Sequence, residues 1–195
     1  DVTRPDDVRA MFAAASEGWG APAIVVANAG AAVSRPFLRT SPEDFQAMLD
    51  VNLMGVFATW QVGLPAMLDA GWGRLLAVAS MAGLKGYGYV AGYCAAKHGV
   101  VGLTRALALE TAKSGVTVNA VCPGYTRTPM LERSVETIMA KTGRPREAAE
   151  ASLLVSNPQG RLIEPEEVAA AVLWLCGAGA ASVTGQAIAI SGGEA

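Results

Sequence analysis

A tyrosine at position 93 and a lysine at position 97 stand four residues apart in YCAAKHGVVGLTRALALE, residues 93–110. Residues i and i+4 share a helix face, so the phenol and the ammonium can project side by side. A free tyrosine titrates at about pH 10, too high for efficient proton exchange at neutral pH. A neighbouring ammonium favours phenolate and lowers that value. Such a pair is a tuned proton donor to a carbonyl oxygen, or an acceptor from an alcohol. The same spacing also suits a half-buried tyrosine and an exposed lysine on an ordinary core helix. Ser80 adds weight to the first alternative. It closes the apolar run RLLAVAS (74–80), and functional groups of open α/β sheets gather beyond the carboxyl ends of strands. Asn28 holds the equivalent place after AIVVA (23–27), as does CPG (122–124) after VTVNAV (116–121). Three strand ends thus bring polar or tight-turn chemistry to one rim.

The elements that must position these residues are legible as runs. AIVVA, RLLAVA (74–79), VTVNAV and AIAI (187–190) are almost wholly apolar instead of alternating. That pattern suits strands covered on both faces, as in a parallel sheet between helices. Pro5 and Asp6 open one helix, with Thr3 a candidate N-cap. Ser41-Pro42-Glu43-Asp44 opens a long one toward Leu68, and Glu164-Pro165-Glu166-Glu167 opens another through VAAAVLWLC. Strand–helix alternation with long crossovers predicts a doubly wound α/β domain with a parallel sheet, Rossmann-type, over residues 1–195. AIVVA calls for neighbours on both sides, because a flat apolar edge invites aggregation. No GxGxxG turn occurs, and little sequence precedes AIVVA. The expectation is therefore an N-terminally incomplete domain, DVT being the end of a preceding strand, which by itself binds cofactor weakly.

Composition bounds the function classes. The net charge is −2, which gives no basic field for a nucleic-acid backbone. Cys94, Cys122 and Cys176 are widely spaced, with no CxxC and a single histidine, His98, so no zinc site is expected. The cysteines read as small buried hydrophobes in a reducing, cytoplasmic compartment. The uncharged stretch 168–193 has the length of a membrane span, but GAGAASVTGQ divides it into helix, loop and strand. No membrane or metal role is expected.

Taken together, the motifs resemble the short-chain dehydrogenase/reductase family. The chain has a strand-end Ser80 thirteen residues before Tyr93, Lys97 in YxxxK, NAG at 28–30, and Asn52 in VNLMGVF. PGYTRT (123–128) and VTGQ (183–186) follow in the family's order. The resemblance implies an NAD- or NADP-dependent oxidoreductase interconverting a ketone and a secondary alcohol. Tyr93 would be the acid/base, and Ser80 would hydrogen-bond the same substrate oxygen. Lys97 would lower the tyrosine pKa and hold the nicotinamide ribose, and Asn52 would hold a relay water. Asn28, Ala29, Gly30, Pro123, Gly124, Thr126 and Thr128 would line the cofactor, with Asp1 and Val2 at its adenine.

The departures are Ala27 in place of a first asparagine and the absent glycine-rich turn, so NAD and NADP are not distinguished. Residues 126–161 correspond to the family's substrate lid, where Met130, Leu131, Ile138 and Met139 could wall an apolar pocket. Arg127, Arg133, Lys141, Arg144 and Arg146 give this segment positive charge, read as a solvated face or as a phosphate contact. Hydroxybutyrate enzymes of the family carry polar carboxylate binders where this chain has Ala31, Ala32, Met81 and Ala82. The expected substrate is thus a neutral ketone or a 3-oxoacyl/3-hydroxyacyl thioester. Nucleotide-sugar epimerases or dehydratases and a non-catalytic cofactor-binding relative are the alternatives. Gly92, Ala95, Ala96, Gly99 and Gly102 permit close approach along one helix. The long helix before Leu68 and AIAISGGEA offer further apolar surface, and the resemblance to a family whose members pair through these helices implies a homodimer or homotetramer.

Overall fold

The computed structural model describes residues 1–194; Ala195, the last residue of the expected AIAISGGEA surface, lies outside the described residues. Four strands, β1 (Ile24–Ala27), β2 (Gly73–Val78), β3 (Val116–Pro123) and β4 (Ala187–Ile190), form one sheet in the order β1-β2-β3-β4. Every neighbouring pair is parallel. The helices are α1 (Pro5–Trp19), α2 (Pro42–Leu49), α3 (Gly55–Ala70), α4 (Ala91–Thr111), α5 (Pro129–Thr142), α6 (Arg146–Leu154) and α7 (Pro165–Cys176).

The unbroken apolar runs have the expected cause. Leu75, Ala77 and Ala79 face a core shared with α1, α3 and α4, built on Phe12, Trp60, Met67 and Val100. Leu76 and Val78 face the opposite side, where Leu175 of α7 packs with Val121 and Ile188. A strand between two helical layers has no polar face to show. β1 departs from this. Val25 and Ala27 are buried, but Ile24 and Val26 remain 43% and 40% exposed, because α7 packs on β2 and β3. Among the described residues β1 pairs only with β2.

Two helix starts follow their signals. Ser41 and Asp44 form a reciprocal capping box ahead of α2, and Glu164 and Glu167 form another ahead of α7. Thr3 does not cap α1: its hydroxyl bonds Asp1 Oδ1 at 2.9 Å, Arg4 is the N-cap residue, and residues 2–4 form a turn instead of a strand end. The long helix toward Leu68 is α2 and α3 joined by a π turn over Asp50–Met54. This continuous helix, 42–70, is long and apolar enough to cross a membrane, yet it buries Val56, Thr59, Trp60, Gly63 and Met67 in the fold. The 168–193 stretch divides into α7, a 3-10 turn at Ala178–Ala180, and β4.

The segment from 126 to 161 folds as the hairpin of α5 and α6. Met130, Leu131, Ile138 and Met139, expected to wall an apolar pocket, line neither of the two described clefts, and the last three pack within the hairpin. With Val135 they recur on one face of α5 and bury against Ala149, Leu153 and Leu162, because an isolated helix pair must cover its own apolar stripes. Its basic residues divide. Arg127 pairs with Glu164, and Arg146 with Glu132 and Glu150, while Arg133, Lys141 and Arg144 are exposed.

Candidate active site

Ser80, Tyr93, Lys97 and Asn52 converge at the carboxyl ends of β1 and β2. Ser80 follows β2 and caps a 3-10 turn at Met81–Gly83, its hydroxyl accepting from the Ala82 amide at 3.1 Å. Tyr93 and Lys97 lie one turn apart in α4, with Lys97 Nζ 5.6 Å from the Tyr93 ring centroid. The Ser80 hydroxyl sits beside the phenol and pulls its pKa down, but burial is the larger effect and holds Tyr93 above its ordinary 10. The expected lowering by Lys97 is not seen. The ammonium donates to the Val78 carbonyl at 2.8 Å, and burial draws its own pKa down from 10.5 to about 8, with the Cys122 thiol opposing. At neutral pH without cofactor the phenol is therefore protonated.

Asn52 is fully buried in the π turn. That turn widens the backbone ladder, so the Gly55 amide donates to Asp50 O. Asn52 Nδ2 donates to Met48 O at 3.0 Å and to Ala31 O at 2.8 Å, while Oδ1 accepts from the Ala31 amide at 3.2 Å. Both donors of the amide are thus committed to backbone. The side chain clamps the turn after β1 to the helix. Gly30 belongs to this clamp: a β-carbon there would stand 2.8 Å from Asn52 Oδ1 and 3.7 Å from Lys97 Nζ. The missing side chain of Gly30 thus makes room for Asn52 itself.

The other expected cofactor residues distribute along the same rim. Asn28, Ala29 and Gly30 are exposed after β1. Pro123 ends β3, and the Gly124 amide donates to Ile190 O at 2.9 Å. Thr126 and Thr128 are committed to the loop: Thr126 Oγ1 donates to Gly124 O, while Thr128 Oγ1 donates to Thr126 O and caps α5 through the Leu131 amide. Asp1 and Val2 sit in the opening turn, Asp1 Oδ1 accepting from the Thr3 amide and Val2 packing where a Gly55 side chain would be. These residues fit a nicotinamide cofactor. Buried Lys97 has three N–H donors and one protein acceptor, and the exposed backbone at 28–30 lies alongside.

Two residues here escape a sequence reading. Gly83 lets the Ser80 turn touch α4, since a β-carbon would lie 2.7 Å from Lys97 O. Glu194, buried in the turn after β4, accepts from the Tyr87 hydroxyl at 2.6 Å and pairs with Lys85 at 3.0 Å. A lone glycine after a strand and a lone glutamate in a loop carry no spacing that signals either role. His98 is exposed and its Nδ1 meets Cys94 O at 2.9 Å; Cys94, Cys122 and Cys176 are free thiols, of which Cys122 is fully buried.

Comparison with known proteins agrees with this arrangement. Residues 1–194 match the family model described as Enoyl-(Acyl carrier protein) reductase. The chain is 36% identical over 194 residues to the D-beta-hydroxybutyrate dehydrogenase of Rhizobium meliloti (strain 1021), covering 99% of this chain and 75% of that protein. It is 40% identical over 195 residues to a putative ketoacyl reductase of Streptomyces coelicolor, again covering 99% and 75%. A variant of the actinorhodin polyketide ketoreductase, crystallised with NADPH, superposes with a TM-score of 0.95 at 39% identity, covering 100% of this chain and 75% of that one. Levodione reductase superposes at 0.94 with 34% identity, covering 100% and 74%. The parallel sheet between helices is thus of the Rossmann type, and the activity is that of an NAD(P)-dependent oxidoreductase acting on ketones and secondary alcohols. The chain belongs to the short-chain dehydrogenase/reductase family.

Proposed function

We propose that Tyr93 exchanges the proton with the substrate oxygen, that Ser80 hydrogen-bonds the same oxygen, and that the substrate is a neutral ketone or a 3-oxoacyl thioester. Lys97 and the 28–30 backbone would hold the nicotinamide cofactor, which would supply hydride to the carbonyl carbon in reduction or take it from the alcohol carbon in oxidation. Tyr93, protonated at neutral pH, suits the reductive direction, in which oxygen gains a proton as carbon gains hydride. Ser80 accepts from Ala82 at its oxygen, which leaves its hydroxyl hydrogen for the phenol or the substrate oxygen, where it would steady the developing charge. Lys97 is left with two free N–H directions, suited to a nicotinamide ribose. Asn52 positions the 28–31 backbone through its clamp on Ala31, with a relay water as a further role.

The observation that supports the substrate reading is the apolar character of the chain next to the site: Met81 and Ala82, which follow Ser80, are buried hydrocarbon, and Ala31 and Ala32 follow the turn after β1. None of these four side chains offers a partner to a free carboxylate, whereas a neutral acyl chain meets hydrocarbon. This favours the ketoacyl reductase relatives over the hydroxybutyrate dehydrogenases as a guide to substrate. The α5–α6 hairpin is the proposed substrate lid. A panel of neutral ketones, a 3-oxoacyl thioester and a short free 3-hydroxy acid, assayed with NADPH or NADH for reductions and NADP⁺ or NAD⁺ for the alcohol, tests the reading. Turnover of the free acid above that of the neutral substrates would overturn it.

A further inference from the structure

Twelve residues separate Ser80 from Tyr93, and the last part of this connection, 84–90, has little packing of its own. Leu84, Gly86, Gly88 and Tyr89 are exposed, and Gly86 and Gly88 leave the backbone unrestrained. Tyr89 nonetheless holds φ 68°, a left-handed conformation that a bulky residue keeps only when its surroundings impose it.

Three bonds hold the loop around it. On one side the Arg35 amide donates to Tyr89 O at 2.7 Å, tying the loop to the segment after Gly30. On the other, Glu194 Oε1 accepts from Tyr87 Oη at 2.6 Å and lies 3.0 Å from Lys85 Nζ. The Glu194 side chain is 1% exposed, so this carboxylate binds both partners out of water. The Tyr87 ring stands edge-on to Tyr125 at 6.2 Å, with Lys85 Nζ 5.5 Å from the Tyr87 centroid. The Tyr87 carbonyl meets Cys94 Sγ at 4.0 Å, one residue past Tyr93.

We infer that Glu194 is a positioning residue for the reaction: it latches the 84–90 loop and thereby sets Ser80 and Tyr93 at their mutual distance. The inference rests on the proposed roles of those two residues. Glu194 touches neither of them. It acts through Tyr87 and Lys85, and the buried position lets one carboxylate hold two residues of an otherwise loose loop. Burial pushes its carboxyl pKa up. The hydrogen bond from Tyr87 and the pairing with Lys85 outweigh burial and leave it below the ordinary 4.5. A carboxyl depressed in the folded state holds the latch above the ordinary carboxylate range and releases it as pH falls through the lowered value. The charged and titratable groups facing it are Lys85, Tyr87 and Tyr125.

Hydrogen–deuterium exchange on the full chain tests this without requiring turnover. Glu194→Ala should speed exchange of amides 84–90 by about tenfold or more while those of β2 and β3 keep their protection. Glu194→Gln, which still accepts from Tyr87, should restore most of the protection, and Tyr87→Phe should loosen the loop in a well-folded background. With a ketone substrate, Glu194→Ala should lower kcat by roughly tenfold and leave the KM for cofactor unchanged. Unchanged loop exchange in both Glu194→Ala and Tyr87→Phe overturns the proposal, as does a faster loop with unaltered kcat. If Glu194→Ala loosens β2 and β3 equally and Tyr87→Phe leaves the loop protected, the residue is only structural and the proposal fails. A loop that responds in a protein inactive toward every ketone supports the latch and counts against the proposed reaction instead.

Discussion

The backbone of Gly83 rests against the carbonyl of Lys97 so closely that a β-carbon on residue 83 would lie 2.7 Å from that oxygen. The turn that carries Ser80 and the helix that carries Tyr93 and Lys97 are thereby held at backbone contact, tighter than side-chain packing allows. Gly83→Ala must shift one against the other. A displacement of about 1 Å at a reacting group costs on the order of 10² in rate. Gly83→Ala is expected to lower kcat by about 10–10² while the protein stays folded, as circular dichroism and steady-state kinetics would establish. Normal turnover in this variant would mean that the contact does not set the site.

Tyr93→Phe keeps the ring and removes the proton donor, so kcat should fall by about 10²–10⁴ with cofactor binding retained. Ser80→Ala should cost on the order of 10²–10³ through lost stabilisation of the oxygen. Single-turnover rates with a ketone substrate, alongside cofactor titration by fluorescence, separate the two effects. Near-normal turnover by Tyr93→Phe would remove the basis of the mechanism.

Lys97 is 3% exposed and its pKa is depressed to about 8 from 10.5. Between those values the unfolded chain binds more protons than the folded one, so stability rises with pH across this window. Below about pH 8 the burial penalty is fully present. Lys97→Met removes the titrating group, and its melting temperature should lack this rise. The wild-type Tm, measured relative to Lys97→Met from pH 7.5 to 10, should climb steadily. A flat difference would show that the ammonium is not buried in solution.

We propose that the protein is a dimer or tetramer. Gly92 and Gly99 do not serve this purpose, because Met48 and Phe45 pack at the first and Leu53 at the second. The better candidate is the groove between α3 and α4 lined by Phe57, Trp60, Leu64, Leu103 and Leu107, beside Leu109 at 81% exposure. Light scattering at micromolar concentration should report a dimer or tetramer, and Phe57→Glu should shift it toward monomer. A wild-type monomer would refute the proposal.

Much of this protein was determined by residue order alone. The apolar runs had to be strands covered twice, because no polar face was available, and β2 and β3 bear this out while β1 does so on one face only. Tyr93 and Lys97 had to share a helix face, since the i,i+4 spacing permits nothing else once the segment is helical. Tertiary structure decided what those residues experience. Burial, which no local pattern encodes, raises Tyr93 and lowers Lys97 where spacing alone suggested that the ammonium would acidify the phenol. The π turn decided that Asn52 faces Ala31, because one extra residue per turn rotates a side chain away from where ordinary helical periodicity would put it. The long-range contacts from Gly83 to Lys97 and from Glu194 to Tyr87 exist only because the chain returns to the same rim after each crossover. A single residue with no periodic partner leaves no trace of such a contact in the sequence.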